Sequence, residues 1–146
     1  MKRDISPFLK DYREPDGMID DILEWDSIKT IPNRPGVYII VSPSQRFIYP
    51  NGESCVIYIG MSVSLASRLQ QYHRRINEIK QLKKTDRNKD WYYGRYQYIN
   101  TFGGKIYYFT TRGTQDEKNL EEKILAKFYD RFLSLPVGNG AFSFGR

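Results

Sequence analysis

The chain has 146 residues, a net charge of +6 and a single cysteine, Cys55. This length predicts one domain with a core of its own, and a lone cysteine cannot form an internal disulfide. No apolar run is long enough to span a bilayer and no hydrophobic leader follows the charged N-terminus, so we expect a cytoplasmic protein with no membrane contact. The excess of basic residues favours a polyanionic partner.

The first 30 residues mix charged side chains with prolines and a glycine, which predicts an irregular arm. Apolar residues within 19–25 recur at helical spacing, so the arm is expected to hold one short helix. Residues 31–146 are then expected to form the domain itself.

Two short runs rich in β-branched and aromatic residues, 36–41 and 56–60, predict an antiparallel pair of strands. A third strand is predicted at 105–110. If the first two strands pair, Tyr38 and Tyr58 lie on one face of the sheet, and Gly60 on that face allows a close approach. The pattern predicts an α/β (α+β) fold in which a small, mainly three-stranded antiparallel sheet is flanked by helices.

A long amphipathic helix is predicted after the second strand, with Ser62 or Ser64 as its N-cap. Arg68 and Tyr72 are one turn apart on it and therefore neighbours. Basic residues on its other faces and beyond form either a solvated surface or a strip that contacts phosphates. The candidate nucleic-acid contacts are Arg74, Arg75, Lys80, Lys84, Arg87, Trp91 and Arg95.

The last predicted helix carries an acid on its apolar side. At about 100° per residue and with Leu120 at zero, Ile124 falls near 40°, Phe128 near 80° and Glu121 near 100°. A carboxylate in such an arc is costly unless it is paired or binds a metal. Glu121 is therefore predicted either to form an internal salt bridge or to bind a cation.

Zinc is excluded as the metal because His73 is the only histidine, and one histidine with one cysteine cannot fill a tetrahedral site. Tyrosines on two strands, an arginine beside a further tyrosine, and a helical glutamate suit phosphodiester hydrolysis with one hard cation. Mg²⁺ commonly takes only one or two protein carboxylates and completes its shell with water and phosphate oxygens.

Five short motifs follow one another along the chain in a characteristic order. They are Gly36-Val37-Tyr38, Tyr58-Ile59-Gly60, Arg68 on the first long helix, Leu120-Glu121 on the last, and Pro136-Val137-Gly138-Asn139. In this order the chain resembles the GIY-YIG nuclease family, over roughly residues 31–140.

The resemblance implies a role for each tyrosine and arginine that matches a motif. Tyr58 would be the general base or the group that orients the attacking water, and Tyr38 would help to position that water. Arg68 would contact the scissile phosphate. Either Tyr72 or His73 would fill the position one turn after the arginine.

The resemblance also implies a cofactor and a substrate. Glu121 would bind a single Mg²⁺ or Mn²⁺ ion, and Asn139 would support the site. The implied function is a metal-dependent endonuclease that hydrolyses DNA. Two alternatives remain open: a catalytically silent nucleic-acid-binding module on the same scaffold, or a nuclease acting on RNA. Specificity would come from the arm, from inserted segments, or from a protein partner or self-association.

Overall fold

The fold is built on antiparallel strands. The computed structural model of the chain describes residues 2–81 and 94–141. Within them the strands are β1 (Gly17–Ile19), β2 (Gly36–Val41), β3 (Phe47–Tyr49), β4 (Gly52–Ser54), β5 (Val56–Ser62) and β6 (Lys105–Thr110). Four of the strands form one sheet in the order β1-β6-β2-β5, and β3 pairs with β4 in a separate two-stranded ribbon.

Helices cover both faces of the sheet. In chain order they are α1 (Ser6–Leu9), α2 (Trp25–Ile28), α3 (Leu65–Gln81), α4 (Arg95–Phe102), α5 (Asp116–Phe132) and α6 (Val137–Ala141). None of the helices in the described parts of the chain is long and apolar enough to cross a membrane.

The predicted α+β class is confirmed, but the main sheet has four strands and not three. The additional strand is β1, which pairs with β6 and lies in the segment expected to be an irregular arm. The helix expected over 19–25 begins only at Trp25. Ile19 ends β1, and the side chain of Asp21 accepts a hydrogen bond from the backbone N–H of Leu23, which forms a turn where the helix was expected.

The core lies in two layers, one on each face of the sheet. One layer packs α1 and α5 against alternate residues of β2 and β5, such as Ile39 and Ile59. The other packs α2, α3 and α4 against the remaining residues, which include Tyr38 and Tyr58. The prediction that both tyrosines lie on one face is confirmed.

The first long helix begins where the sequence predicts. Ser64 is its N-cap, because its hydroxyl accepts a hydrogen bond of 3.2 Å from the backbone N–H of Ser67. Helix α4 begins at Arg95, and Tyr96 and Ile99 are buried on one side of it. Lys84, Arg87 and Trp91, expected to contact nucleic acid, lie outside the described residues.

Candidate active site

Tyr38 and Tyr58 meet at the join between β2 and β5. In this pair Tyr38 lies opposite Gly60, and the two tyrosine rings have centroids 6.0 Å apart. A Cβ atom at Gly60 would lie only 2.7 Å from the hydroxyl of Tyr38. The space that the glycine leaves is therefore filled by the rings of both Tyr38 and Tyr58.

Helix α3 adds a third tyrosine to this pair. The hydroxyls of Tyr38 and Tyr72 are hydrogen-bonded at 3.1 Å, and both side chains are fully buried. Burial raises the pKa of each phenol, so both stay protonated at neutral pH and can donate hydrogen bonds. Arg68 lies one turn earlier on α3, and its charge partly offsets the rise in the pKa of Tyr38.

Arg95 completes the cluster, although its sequence context pointed only to a nucleic-acid contact. Its Nε donates a hydrogen bond of 2.6 Å to the hydroxyl of Tyr72, and its guanidinium lies 4.7 Å from the ring centre of Tyr58. Burial would lower the pKa of Arg95, but the neighbouring tyrosines outweigh that effect and raise it. The group is therefore a permanent positive charge at the centre of the aromatic cluster.

His73 points away from the tyrosines. Its Nδ1 lies 3.0 Å from the carbonyl oxygen of Ile22, and its Nε2 lies 3.2 Å from the amide nitrogen of Asn77. Because a carbonyl can only accept, Nδ1 carries the proton and Nε2 accepts from Asn77. Of the two residues considered for one position, the structure brings Tyr72 into the cluster and turns His73 towards Ile22.

Asn139 holds the outer strand of the sheet from the side. Its Oδ1 accepts a hydrogen bond of 2.9 Å from the backbone N–H of Ile59, and its Nδ2 donates one of 2.8 Å to the carbonyl of the same residue. Gly138 permits this approach, since a Cβ there would lie 2.6 Å from the carbonyl oxygen of Ile57. The side chain, 2% exposed, thus fixes the backbone between Tyr58 and Gly60.

Replacing Asn139 with alanine is expected to lower the free energy of unfolding by about 2–3 kcal/mol, because two buried backbone groups of Ile59 lose their partners. Urea unfolding measures the change. Asn119→Ala, which alters an exposed asparagine on α5, is the control and should have a much smaller effect. If the two variants are equally stable, the hydrogen bonds between Asn139 and Ile59 contribute nothing to the free energy of unfolding.

Glu121 lies in the other layer of the fold. It is 9% exposed and sits on the buried side of α5, as its helical phase predicts. That helix packs against β2 and β5 on the face opposite to the tyrosine rings. The structure therefore clusters Tyr38, Tyr58, Tyr72 and Arg95 directly and places Glu121 behind the same two strands.

A second buried acid on α5, Glu117, was missed by the sequence analysis. It is 6% exposed, and its buried Oε2 atom has no hydrogen-bond partner in the part of the chain that the structure describes. The helical phase that singled out Glu121 would also have found it: Glu117 falls at about 60°, between Ile124 and Phe128.

The donor set of these acids fits a hard cation. Within the described residues, no group of three or more histidine, cysteine, aspartate or glutamate side chains is arranged to hold a metal ion. Two carboxylates remain, and Mg²⁺ is commonly held by one or two carboxylates with water in the other positions. A buried carboxylate oxygen without a partner is consistent with such a ligand.

Among the described residues expected to contact nucleic acid, Arg95 lies in the tyrosine cluster and the other three lie on α3. Arg74 and Lys80 are exposed on α3, whereas Arg75 forms an ion pair of 3.4 Å with Glu78. A separate basic cavity of about 650 Å³ lies between the N-terminal segment and α5. The cations that line it are Arg13, Arg34, Arg112 and Lys123, none of which the sequence analysis selected.

Comparison with known proteins gives a similarity of fold. The chain resembles the GIY-YIG N-terminal endonuclease domain of UvrC from Thermotoga maritima bound to its catalytic divalent cation, magnesium, with 18% identity and a TM-score of 0.45. The match covers 74% of this chain and 92% of that chain. Two point mutants of the same domain match with a TM-score of 0.44, also at 18% identity, over 74% of this chain and 91% of theirs.

No protein-family model matches the chain, and no curated protein does. At the level of fold the chain is similar to a GIY-YIG domain, which is the family that its sequence motifs resemble.

Proposed function

We propose that the chain is a metal-dependent endonuclease that hydrolyses DNA phosphodiester bonds with one Mg²⁺ or Mn²⁺ ion. The observation that supports this most is the convergence of Tyr38, Tyr58 and Tyr72 on one point, with the positive charge of Arg95 among them. Charged and hydroxyl groups are costly in an apolar layer. Their presence there suits a site that binds and polarises a phosphate.

In the proposed reaction, a water oxygen bonds to phosphorus while the phosphorus–oxygen bond to the leaving sugar breaks. Tyr58 orients this water or accepts its proton, and Tyr38 helps to position it. Arg68 binds the scissile phosphate and offsets the charge that develops on it. The departing oxygen takes a proton from solvent.

Two further side chains hold the shape of the site, and a third is proposed to bind the cation. Tyr72 is fixed between Tyr38 and Arg95 by hydrogen bonds, and Asn139 fixes the backbone beside Tyr58. Glu121 on α5 would hold the cation. A bound divalent ion supplies polarisation of the phosphoryl group and stabilisation of the leaving oxygen.

One observation favours a second candidate function, a catalytically silent module that binds nucleic acid. Tyr58 is only 4% exposed, and Tyr38 and Tyr72 are more deeply buried. A substrate has to reach these hydroxyls for hydrolysis, whereas binding needs only the exposed basic residues such as Arg74 and Lys80. The two candidates differ in whether strands are cut.

Digestion of supercoiled plasmid in Mg²⁺, Mn²⁺ or EDTA tests the proposal. We expect nicked or linear product with either cation and none with EDTA. Matched DNA and RNA duplexes in the same assay determine the substrate, because RNA carries a 2′-hydroxyl and an A-form groove. Gel-shift binding without cleavage in either cation would contradict the nuclease and support the silent module. In that case a protein partner or self-association would supply the specificity for a nucleic-acid target.

A further inference from the structure

A buried acid on α5 has a carboxylate oxygen without a hydrogen-bond partner among the described residues. Glu117 is 6% exposed, and within residues 2–81 and 94–141 nothing forms a hydrogen bond with its buried Oε2 atom. Nearly all buried polar side-chain atoms in folded proteins have a partner. A buried carboxylate without one is strongly disfavoured unless it takes up a proton or binds a cation.

The position of Glu117 relative to Glu121 favours a cation. The two residues are four apart on α5, which places their Cβ atoms about 5–6 Å from each other on one side of the helix. Both are among the buried residues of that helix. Carboxylates at this spacing can reach one ion placed between them.

The contacts of α5 show which flank of the helix carries the two acids. Asp116, Asn119 and Lys123 line the basic cavity, which borders β6 and the N-terminal segment. On the helical wheel Glu117 and Glu121 lie on the other side of Leu120 from these residues. In the strand order β6-β2-β5 that flank faces β5, the strand that carries Tyr58 and Gly60.

We propose that Glu117 and Glu121 together form a two-carboxylate site for one divalent cation, Mg²⁺ or Mn²⁺, on the β5 flank of α5. The inference rests on the proposed function, in which Glu121 is the only carboxylate assigned to the ion. It adds a second ligand, bound either directly or through water, and so predicts tighter cation binding than one carboxylate supports.

Binding of Mn²⁺ without nucleic acid tests the pair. Isothermal titration is performed on the wild-type chain, Glu117→Gln and Glu121→Gln, with Glu122→Gln as the control because Glu122 is exposed on the same helix. We expect each of the first two substitutions to weaken Mn²⁺ binding at least 10-fold and the control to leave it unchanged. The rise in melting temperature on adding Mn²⁺ should shrink in parallel.

The melting temperature of the metal-free protein provides a second readout. Glu117→Gln and Glu117→Met remove a buried carboxylate and should each raise this temperature. If the glutamine variant does not fold, the methionine variant is titrated in its place.

The outcomes separate this inference from the proposed function. Wild-type Mn²⁺ affinity in Glu117→Gln, with binding lost in Glu121→Gln, would overturn the second ligand and leave Glu121 as the sole one. Wild-type affinity in both variants would remove the cation site from the proposed function as well. Loss of binding in both supports the two-carboxylate site.

Discussion

Replacing Glu121 with alanine is expected to lower the rate of plasmid cleavage in Mg²⁺ by about 100- to 1000-fold, the loss seen when one electrostatic stabiliser of a transition state is removed. The reason is that Glu121 is the acid that the helical phase, the motif order and the burial on α5 all select. Initial rates of supercoil nicking measure the change.

Glu122→Ala is the matched control for this prediction. Glu122 is the next residue on the same helix and is exposed, so its removal should leave the rate of cleavage near that of the wild type. Circular dichroism should show that both variants keep their helices. If Glu121→Ala cuts plasmid as fast as the control, the proposal that this acid serves hydrolysis is wrong.

Replacing Arg68 with alanine is expected to lower kcat by about 100- to 1000-fold while substrate binding weakens far less, because the guanidinium is proposed to act on charge that develops in the transition state. Single-turnover cleavage and gel-shift titration on one DNA duplex separate the two quantities. Arg75→Ala, which removes an arginine paired with Glu78 on the same helix, serves as the control. A variant that cuts at the normal rate but binds poorly would show that Arg68 only tethers the substrate.

Arg95 provides a comparison within the same site. Its guanidinium lies among the tyrosine rings and bonds to Tyr72, whereas Arg68 makes a longer-range contribution to the pKa of Tyr38. We therefore expect Arg95→Ala to lower the melting temperature as well as the rate, since the buried hydroxyl of Tyr72 loses its hydrogen bond from Arg95. Arg68→Ala should lower the rate alone.

The parts of the site that could be predicted from the sequence are those set by local periodicity. Alternation along a strand places Tyr38 and Tyr58 on one face, and the helical repeat places Glu121 on the buried side of α5. Both depend only on residues close together in the chain. The same repeat also places Glu117 on that side, at about 60° on the helical wheel.

The parts that could not be predicted depend on packing between distant segments. Strand β1 has three residues, too few to show a period, and forms because β6 offers it a partner. Arg95 reaches Tyr72 only because α4 packs beside α3, a contact between helices that no local pattern encodes. Likewise, spacing alone allows either Tyr72 or His73 at one motif position. His73 is turned away from the tyrosines by its contact with Ile22, which lies in the distant N-terminal segment.

The side-chain amide of Asn139 has a consequence for how copies of this molecule can associate. Strand β5 is the outermost strand on its side of the sheet, and such a strand usually exposes backbone groups that recruit a further strand from another chain. At Ile59 these groups are already taken by the amide, and α6 lies close against Ile57. Growth of the sheet by intermolecular strand pairing is thereby blocked beside Tyr58, which leaves β1 as the border of the sheet where such pairing could begin.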